Sequence, residues 1–252
     1  MKLENKVVLL TGASSGIGYA IGKAFAKEGA VVYAMARRME KLEGLKEDSK
    51  DLPGEIIPVA GDVVKEEDID NAVEKALEEQ GKIDVLVNNA GVLDEYKSAE
   101  TITDEIWNKV MDINAGGIMR MSRKVLPSML EKKAGVILNT ASVGGLHGMR
   151  GGLAYVASKH AVVGMTKNIG YSYADEGIRC IAVAPGSVST EIGSSVKDPD
   201  ERMLNKLMAG VQIFPKVGTP DQLAEVYVFL ASDEASFING TTIVVDGGWT
   251  AY

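Results

Sequence analysis

A chain of 252 residues, 46% hydrophobic and 25% charged, is long enough to bury a large core, and one α/β domain of this size is common. Its formal net charge of −8 excludes a sequence-independent hold on nucleic acid, which needs a basic face to displace phosphate counterions. Any anionic cofactor must therefore meet local positive groups.

Short apolar runs alternate with longer helix-like segments. In chain order, Val7–Leu10, Val31–Met35, Ile56–Val59, Val85–Val87, Val136–Asn139, Ile178–Val183 and Ile243–Val245 read as strands. Between them, Gly18–Lys27 and Glu66–Glu79 carry apolar residues three and four apart, the period of helices that cover a sheet. Parallel strands require long crossovers, so the alternation predicts an α/β, Rossmann-type doubly wound, mainly parallel seven-stranded sheet with helices on both faces. No linker, repeat or low-complexity tract divides it, and residues 1–252 read as a single domain with an irregular excursion at about 191–218 as the candidate substrate loop.

The first residues, Met1-Lys2-Leu3-Glu4-Asn5-Lys6, lack the apolar region of a signal peptide, and no apolar run reaches bilayer length. A cytoplasmic protein with no membrane partner is expected. Cys180 is alone in an apolar stretch and reads as a buried structural thiol. His147 and His160, the two histidines, form no metal-ligand spacing, so no metal site is expected.

The first strand runs into Thr11-Gly12-Ala13-Ser14-Ser15-Gly16-Ile17-Gly18 and then a helical pattern. In this context the glycines permit a tight turn and close backbone approach, and the helix N-terminus offers free N–H groups to a pyrophosphate. The second strand ends in Ala34-Met35-Ala36-Arg37-Arg38. Enzymes that use NAD usually place an acid here for the adenosine ribose. Two guanidiniums instead suit a 2′-phosphate, and NADP(H) is the expected cofactor, with Arg37 the stronger contact. The same pair also suits the solvated surface of a turn.

Tyr155 and Lys159 are four residues apart and share one face of a helix. An ammonium one turn away favours the phenolate, so Tyr155 is expected to titrate below its reference value and to exchange a proton with a carbonyl or alcohol oxygen. Ser142 lies just past the strand Val136–Asn139, where its hydroxyl can hold that oxygen. Asn114 precedes Ala115-Gly116-Gly117, glycines that loosen helical geometry and free backbone groups for water.

Gly-x-x-x-Gly-x-Gly at 12–18, Asn88-Asn89-Ala90-Gly91, Asn114, Ser142, Tyr155-Val156-Ala157-Ser158-Lys159, Pro185-Gly186 with Thr190, and Val245-Asp246-Gly247-Gly248 occur in an order that resembles the short-chain dehydrogenase/reductase family over essentially the whole chain. The resemblance implies that Asp62, with Val63, meets the adenine and that Asn88, Asn89, Ala90 and Gly91 form the next contact surface. It also implies that Val188 and Thr190 meet the nicotinamide carboxamide and that Lys159 holds the nicotinamide ribose. A proton relay from Lys159 through water to Asn114, and a homotetramer, are further implications, and the tail Trp249-Thr250-Ala251-Tyr252 is compatible with an interface.

On the substrate side, Met203, Leu204, Leu207, Met208 and Val211 fall on one helical face, followed by Ile213 and Phe214. They suit an apolar lid opposite Leu146, His147 and Met149, and equally suit packing on the core. The mixed charges of Ser194–Arg202 read as solvated surface rather than a carrier-protein site. The leading expectation is an enzyme interconverting a secondary alcohol and a ketone, on a ring ketone, a sugar-like polyol or a hydroxysteroid. Reduction of a 3-oxoacyl thioester is the enzymic alternative, and a non-catalytic NADP(H)-sensing protein is the alternative of another class. A serine hydrolase is disfavoured because no Gly-x-Ser-x-Gly elbow surrounds Ser142.

Overall fold

The computed structural model describes residues 1–211 and 216–251. All seven predicted strands are present: β1 (Val7–Thr11), β2 (Val31–Ala36), β3 (Glu55–Ala60), β4 (Val85–Asn88), β5 (Gly135–Thr140), β6 (Ile178–Pro185) and β7 (Thr242–Val245). They form one sheet in the order β3-β2-β1-β4-β5-β6-β7, and every pairing is parallel, so the sheet is wholly rather than mainly parallel.

The helices are α1 (Gly16–Lys27), α2 (Met39–Glu47), α3 (Glu66–Gln80), α4 (Asp104–Met111), α5 (Gly117–Lys132), α6 (Leu153–Ser172), α7 (Glu201–Val211) and α8 (Pro220–Ala231). The β1 sequence VVLLT is buried at every position because both faces of the sheet are covered. Val8 and Leu10 pack with Phe25, Leu45 and Tyr227 of α1, α2 and α8. Val7 and Leu9 pack with Val73 of α3 and Val125 of α5 on the opposite face. Strand alternation of period two thus divides one apolar run between two cores.

The chain moves outward from β1 to β2 and β3, then crosses back to add β4 on the other side of β1. That reversal leaves the crevice at the carboxyl ends of β1 and β4 in which open α/β sheets bind ligands. The 191–218 excursion carries secondary structure of its own in its described residues. It holds a short 3-10 turn at Glu191–Ser195 and the whole of α7, and its ends are tied by a parallel bridge between Val188 and Gly218. Among the described residues no helix is long and apolar enough to cross a membrane.

Candidate active site

A cleft of about 460 Å³ opens at the reversal point. Its floor is the segment from Gly12 to Gly16, whose two glycines take the left-handed φ values 68° and 55°. Ser15 caps α1 with extended backbone and no side-chain bond to the first turn, which also carries no acid. The helix therefore presents free N–H donors to the cleft, as an anion requires. Gly18 does not line the cleft. A Cβ there would lie 2.2 Å from Gly12 O and 2.5 Å from Asn89 Nδ2, so this glycine serves close packing of α1 on the loop.

Asn89 holds that loop from below, donating from Nδ2 to Thr11 O at 3.3 Å and Gly12 O at 3.2 Å. Thr11 Oγ1 accepts from the N–H groups of Asn89 and Ala90 at 3.0 and 3.2 Å. Asn89, Ala90 and Gly91 line the cleft. Asn88 does not: it is buried in the sheet, where its Nδ2 donates to Asn139 Oδ1 at 2.9 Å. Its assignment to the cofactor surface is therefore corrected, because the alternation along β4 turns it inward.

At the β2 end, Ala36, Arg37 and Arg38 line the cleft with Asp62 and Val63 from beyond β3. Arg37 is largely exposed and stands 3.9 Å from Asp62 Oδ2. Arg38 is held more firmly, donating from Nη2 to Ser14 Oγ and Ser15 Oγ, both at 3.0 Å, and standing 3.9 Å from Glu191 Oε2. Ile17, Pro185, Gly186, Val188 and Thr190 complete the expected cofactor set along the wall. An elongated cleft with amide donors in its middle and guanidiniums at one end fits a phosphorylated dinucleotide.

Ser142, Tyr155 and Lys159 line the other end. Ser142 follows β5 with extended backbone; its Oγ accepts from Gly144 N–H at 3.0 Å, and its side chain is hydrogen-bonded to the Tyr155 phenol, so the two hydroxyls stand together at this end of the cleft. Lys159 is buried; its Nζ donates to Thr140 O at 2.7 Å and lies 5.7 Å from the Tyr155 ring centre. Loss of water around the ammonium lowers its pKa to about 8.

The phenol of Tyr155 is pushed up, not down. Burial is the largest cause, Asp94 and Tyr96 act in the same direction, and only Ser142 pulls back. The lowering expected from the four-residue spacing is corrected on this point: Lys159 directs its donor to the Thr140 carbonyl, and desolvation of a phenolate outweighs an ammonium so engaged.

Asn114 lies in a π-helical segment, Asp112–Gly116, between α4 and α5, where the helical ladder is loosened as the following glycines imply. Its buried side chain is fully engaged, accepting from Val92 N–H at 2.8 Å and donating to Val92 O at 3.0 Å and Ser158 Oγ at 3.1 Å. It does not line the cleft, so its side chain anchors the loop after β4, and only its backbone is left to take part in a relay. Gly91 separates the two partners of that relay: a Cβ there would stand 3.4 Å from Asn114 Oδ1 and 3.6 Å from Lys159 Nζ.

The substrate-side expectations divide. On α7, Met203, Leu204 and Leu207 are half-buried, while Met208 is exposed. Ile213, Phe214, Tyr252 and the side chain of Val211 lie outside the described residues. The charged stretch before α7 is exposed at Lys197, Asp198, Glu201 and Arg202, and it is tied down by surface contacts: Lys97 pairs with Asp198 at 2.8 Å, Thr101 Oγ1 donates to Asp200 Oδ2 at 2.7 Å and Arg202 pairs with Glu100 at 2.8 Å. Trp249 is buried within its own chain under the Arg150 guanidinium, 4.4 Å from the ring centre, rather than displayed for a partner. Cys180 is buried in β6 with its thiol pushed up to about 12, an unreactive structural residue.

Three residues outside the sequence-derived set contribute. Thr140, at the end of β5, fixes Lys159; Thr11 fixes the loop after β4; and Asp94 accepts the Tyr155 N–H at 2.9 Å. Thr140 and Thr11 carry one available signal, a hydroxyl at a strand's carboxyl end. Asp94 carries none.

The family profile described as Enoyl-(Acyl carrier protein) reductase matches residues 12–250. A 3beta-hydroxysteroid dehydrogenase 2 from Eggerthella lenta is 40% identical over 99% of this chain and 96% of its own. A 3-oxoacyl-[acyl-carrier-protein] reductase FabG from Thermotoga maritima is 39% identical over 98% of this chain and 99% of its own. The crystal structure of levodione reductase superposes with a TM-score of 0.90 at 36% identity, covering 99% of this chain and 100% of that one. With a wholly parallel Rossmann-type sheet and a Tyr-x-x-x-Lys pair at the end of its cleft, the chain belongs to the short-chain dehydrogenase/reductase family.

Proposed function

We propose that the protein is a cytoplasmic, NADP(H)-dependent oxidoreductase that interconverts a secondary alcohol and a ketone, with Tyr155 as acid and base. The observation that carries this reading is the convergence of Ser142, Tyr155 and Lys159 at one end of a cleft whose other end bears Arg37 and Arg38. The bound nicotinamide supplies or accepts the hydride. Arg37 and Arg38 hold the 2′-phosphate, and the first turn of α1 holds the pyrophosphate. Ser142 donates to the substrate oxygen, and Tyr155 transfers its proton to that oxygen in reduction and recovers it in oxidation. A phenol at its ordinary pKa of about 10 is protonated at neutral pH, and the upward shift at Tyr155 keeps it so, which suits it to give up a proton in reduction. Lys159, fixed by Thr140, would hold the nicotinamide ribose, and the proton that replaces the one given up by Tyr155 would come from solvent through water held on the Asn114 backbone and the Lys159 ammonium.

For the substrate we favour a ring ketone or hydroxysteroid. Support comes from the apolar face of α7 and from relatives whose names specify a hydroxysteroid, levodione and, at 34% identity, cyclohexanol. The 39% identical 3-oxoacyl reductase keeps a 3-oxoacyl thioester as the second reading. NADPH oxidation measured with a steroid ketone, a cyclic ketone and an acetoacetyl thioester separates the two, and activity confined to the thioester would overturn the preference. We place a homotetramer contact on the exposed Phe229 of α8, Phe237 beyond it and Val244 of the edge strand β7. A monomeric mass by light scattering would remove it.

Lys159 predicts a pH profile. Its folded-state pKa of about 8 lies below the reference 10.5, so the ammonium is complete below pH 8 and lost above it. The value of kcat/KM for NADPH, which reports groups of the free enzyme, is expected to be flat near neutrality and to fall above pH about 8. A profile flat to pH about 10 would contradict the role given to Lys159. Stability moves oppositely: between these two pKa values the unfolded chain binds more protons, so the cost of burying Lys159 eases as pH rises.

A further inference from the structure

Asp94, in the loop after β4, is completely buried and is used by no step above. Its Oδ1 accepts from the N–H groups of Gly152 and Tyr96, each at 3.2 Å, and its Oδ2 from Tyr155 N–H at 2.9 Å. Gly152 is the residue that caps α6 and has no side chain to satisfy the first turn; Tyr155 is the third residue of the helix. The carboxylate of a distant loop therefore occupies the place of an N-cap side chain, where a negative charge also suits the helix dipole. The next loop residue to touch the helix completes the cap, since Lys97 O accepts from Leu153 N–H at 2.9 Å.

Two independent features show that this contact is built in. Glu95 and Tyr96 take left-handed φ values of 57° and 56°, uncommon for such residues, and this turn brings the Tyr96 N–H onto Asp94. Gly152 has an extended backbone that any residue adopts, with φ −79° and ψ −179°. Yet a Cβ there would stand 2.4 Å from Asp94 Oδ1 and 2.5 Å from Oδ2. Glycine at 152 is thus required by the carboxylate and not by the chain's own path. Gly151 serves the reacting residue in the same way: its Cβ would lie 2.5 Å from Tyr155 Cδ1.

We propose that Asp94 is a positioning residue for the reaction, fixing the first turn of α6 so that the phenol of Tyr155 stays aligned with Ser142, and that Gly152 exists to admit it. The kinetic part rests on the alcohol–ketone reading; the structural part does not. The test compares the full-length protein with Asp94→Ala, Gly152→Ala and the double variant. Amide hydrogen exchange across 152–156 is measured together with NADPH affinity, kcat and the isotope effect from NADPH deuterated at the transferred position.

Each single substitution is expected to release protection at 152–156, lower kcat by about tenfold or more and raise the isotope effect, with NADPH affinity within about twofold of wild type. The double variant is expected to be no worse than Asp94→Ala alone, because the clash that Gly152→Ala creates needs the carboxylate. Additive losses in the double variant, unchanged exchange at 152–156, or a fall in kcat matched by an equal fall in NADPH-binding sites with no change in isotope effect would overturn the proposal. If Asp94→Ala does not fold, Asp94→Asn, which retains one acceptor oxygen, takes its place and is expected to show the same changes at smaller size. If the wild type reduces no carbonyl, the alcohol–ketone reading fails, while exchange and the Gly152 coupling still decide whether Asp94 holds the turn.

Discussion

Tyr155→Phe is expected to lower kcat for carbonyl reduction by a factor on the order of 10³, or about 4 kcal/mol of barrier, while NADPH affinity stays within about twofold of wild type. The substitution removes one oxygen and keeps the ring, whose place beside Gly151 and on the Asp94-capped turn is set by the backbone. Ser142 retains its bond from Gly144 and can still orient the substrate, but nothing else described at that end of the cleft delivers a proton directly. Lys159 directs its donor to the Thr140 carbonyl. Binding is expected to be spared because, on the proposed reading, the cofactor's phosphates would be held by the α1 N-terminus and the arginines, away from the end of the cleft that Tyr155 lines. Fluorescence titration with NADPH and steady-state turnover measure the two halves, and turnover retained to within about tenfold would remove Tyr155 as the proton donor.

Ala36→Asp combined with Arg37→Ala is expected to shift the ratio of kcat/KM for NADP⁺ over NAD⁺ by about a hundredfold or more toward NAD⁺. A charge-assisted bond to phosphate is worth about 1.5–3 kcal/mol, and the new carboxylate both repels the phosphate and accepts from ribose hydroxyls. The two arginines stand in different surroundings. Arg37 is largely exposed and only loosely paired with Asp62, so it can turn to a ligand at little cost. Arg38 is tied to both serines of the glycine loop, and its loss would also loosen that loop. Arg37→Ala alone is therefore expected to weaken NADP⁺ while sparing the loop. Equal kcat/KM for both dinucleotides in the wild type would overturn the cofactor assignment.

Much of the cleft is legible without the fold, and the exceptions share a cause. Residues that line the cleft, such as Gly12, Ser15, Arg37, Tyr155 and Lys159, announce themselves by motif and spacing, because the proposed chemistry needs those types at those intervals. Asn88 and Gly18 belong to the same motifs but look inward, one into a buried amide pair and the other against Gly12 O. A motif does not say which of its members are there for packing. Asn114 combines both cases: its residue type is set by the clamp on Val92, while its backbone lies in the π-helical segment.

The order of strands and helices, the crevice at the first βα turn and the pairing of Tyr155 with Lys159 are properties of local sequence, since they follow from periods of two and 3.6 and from contacts one helical turn apart. The titration of that pair is not local. It depends on how deeply the ring and the ammonium are buried, on the Thr140 carbonyl from β5 and on the Asp94 carboxylate from beyond β4, 61 residues before Tyr155 in the chain. Desolvation and through-space charge depend on groups that only the folded sheet brings within reach, and so the tertiary structure alone decided the direction in which the Tyr155 titration moves.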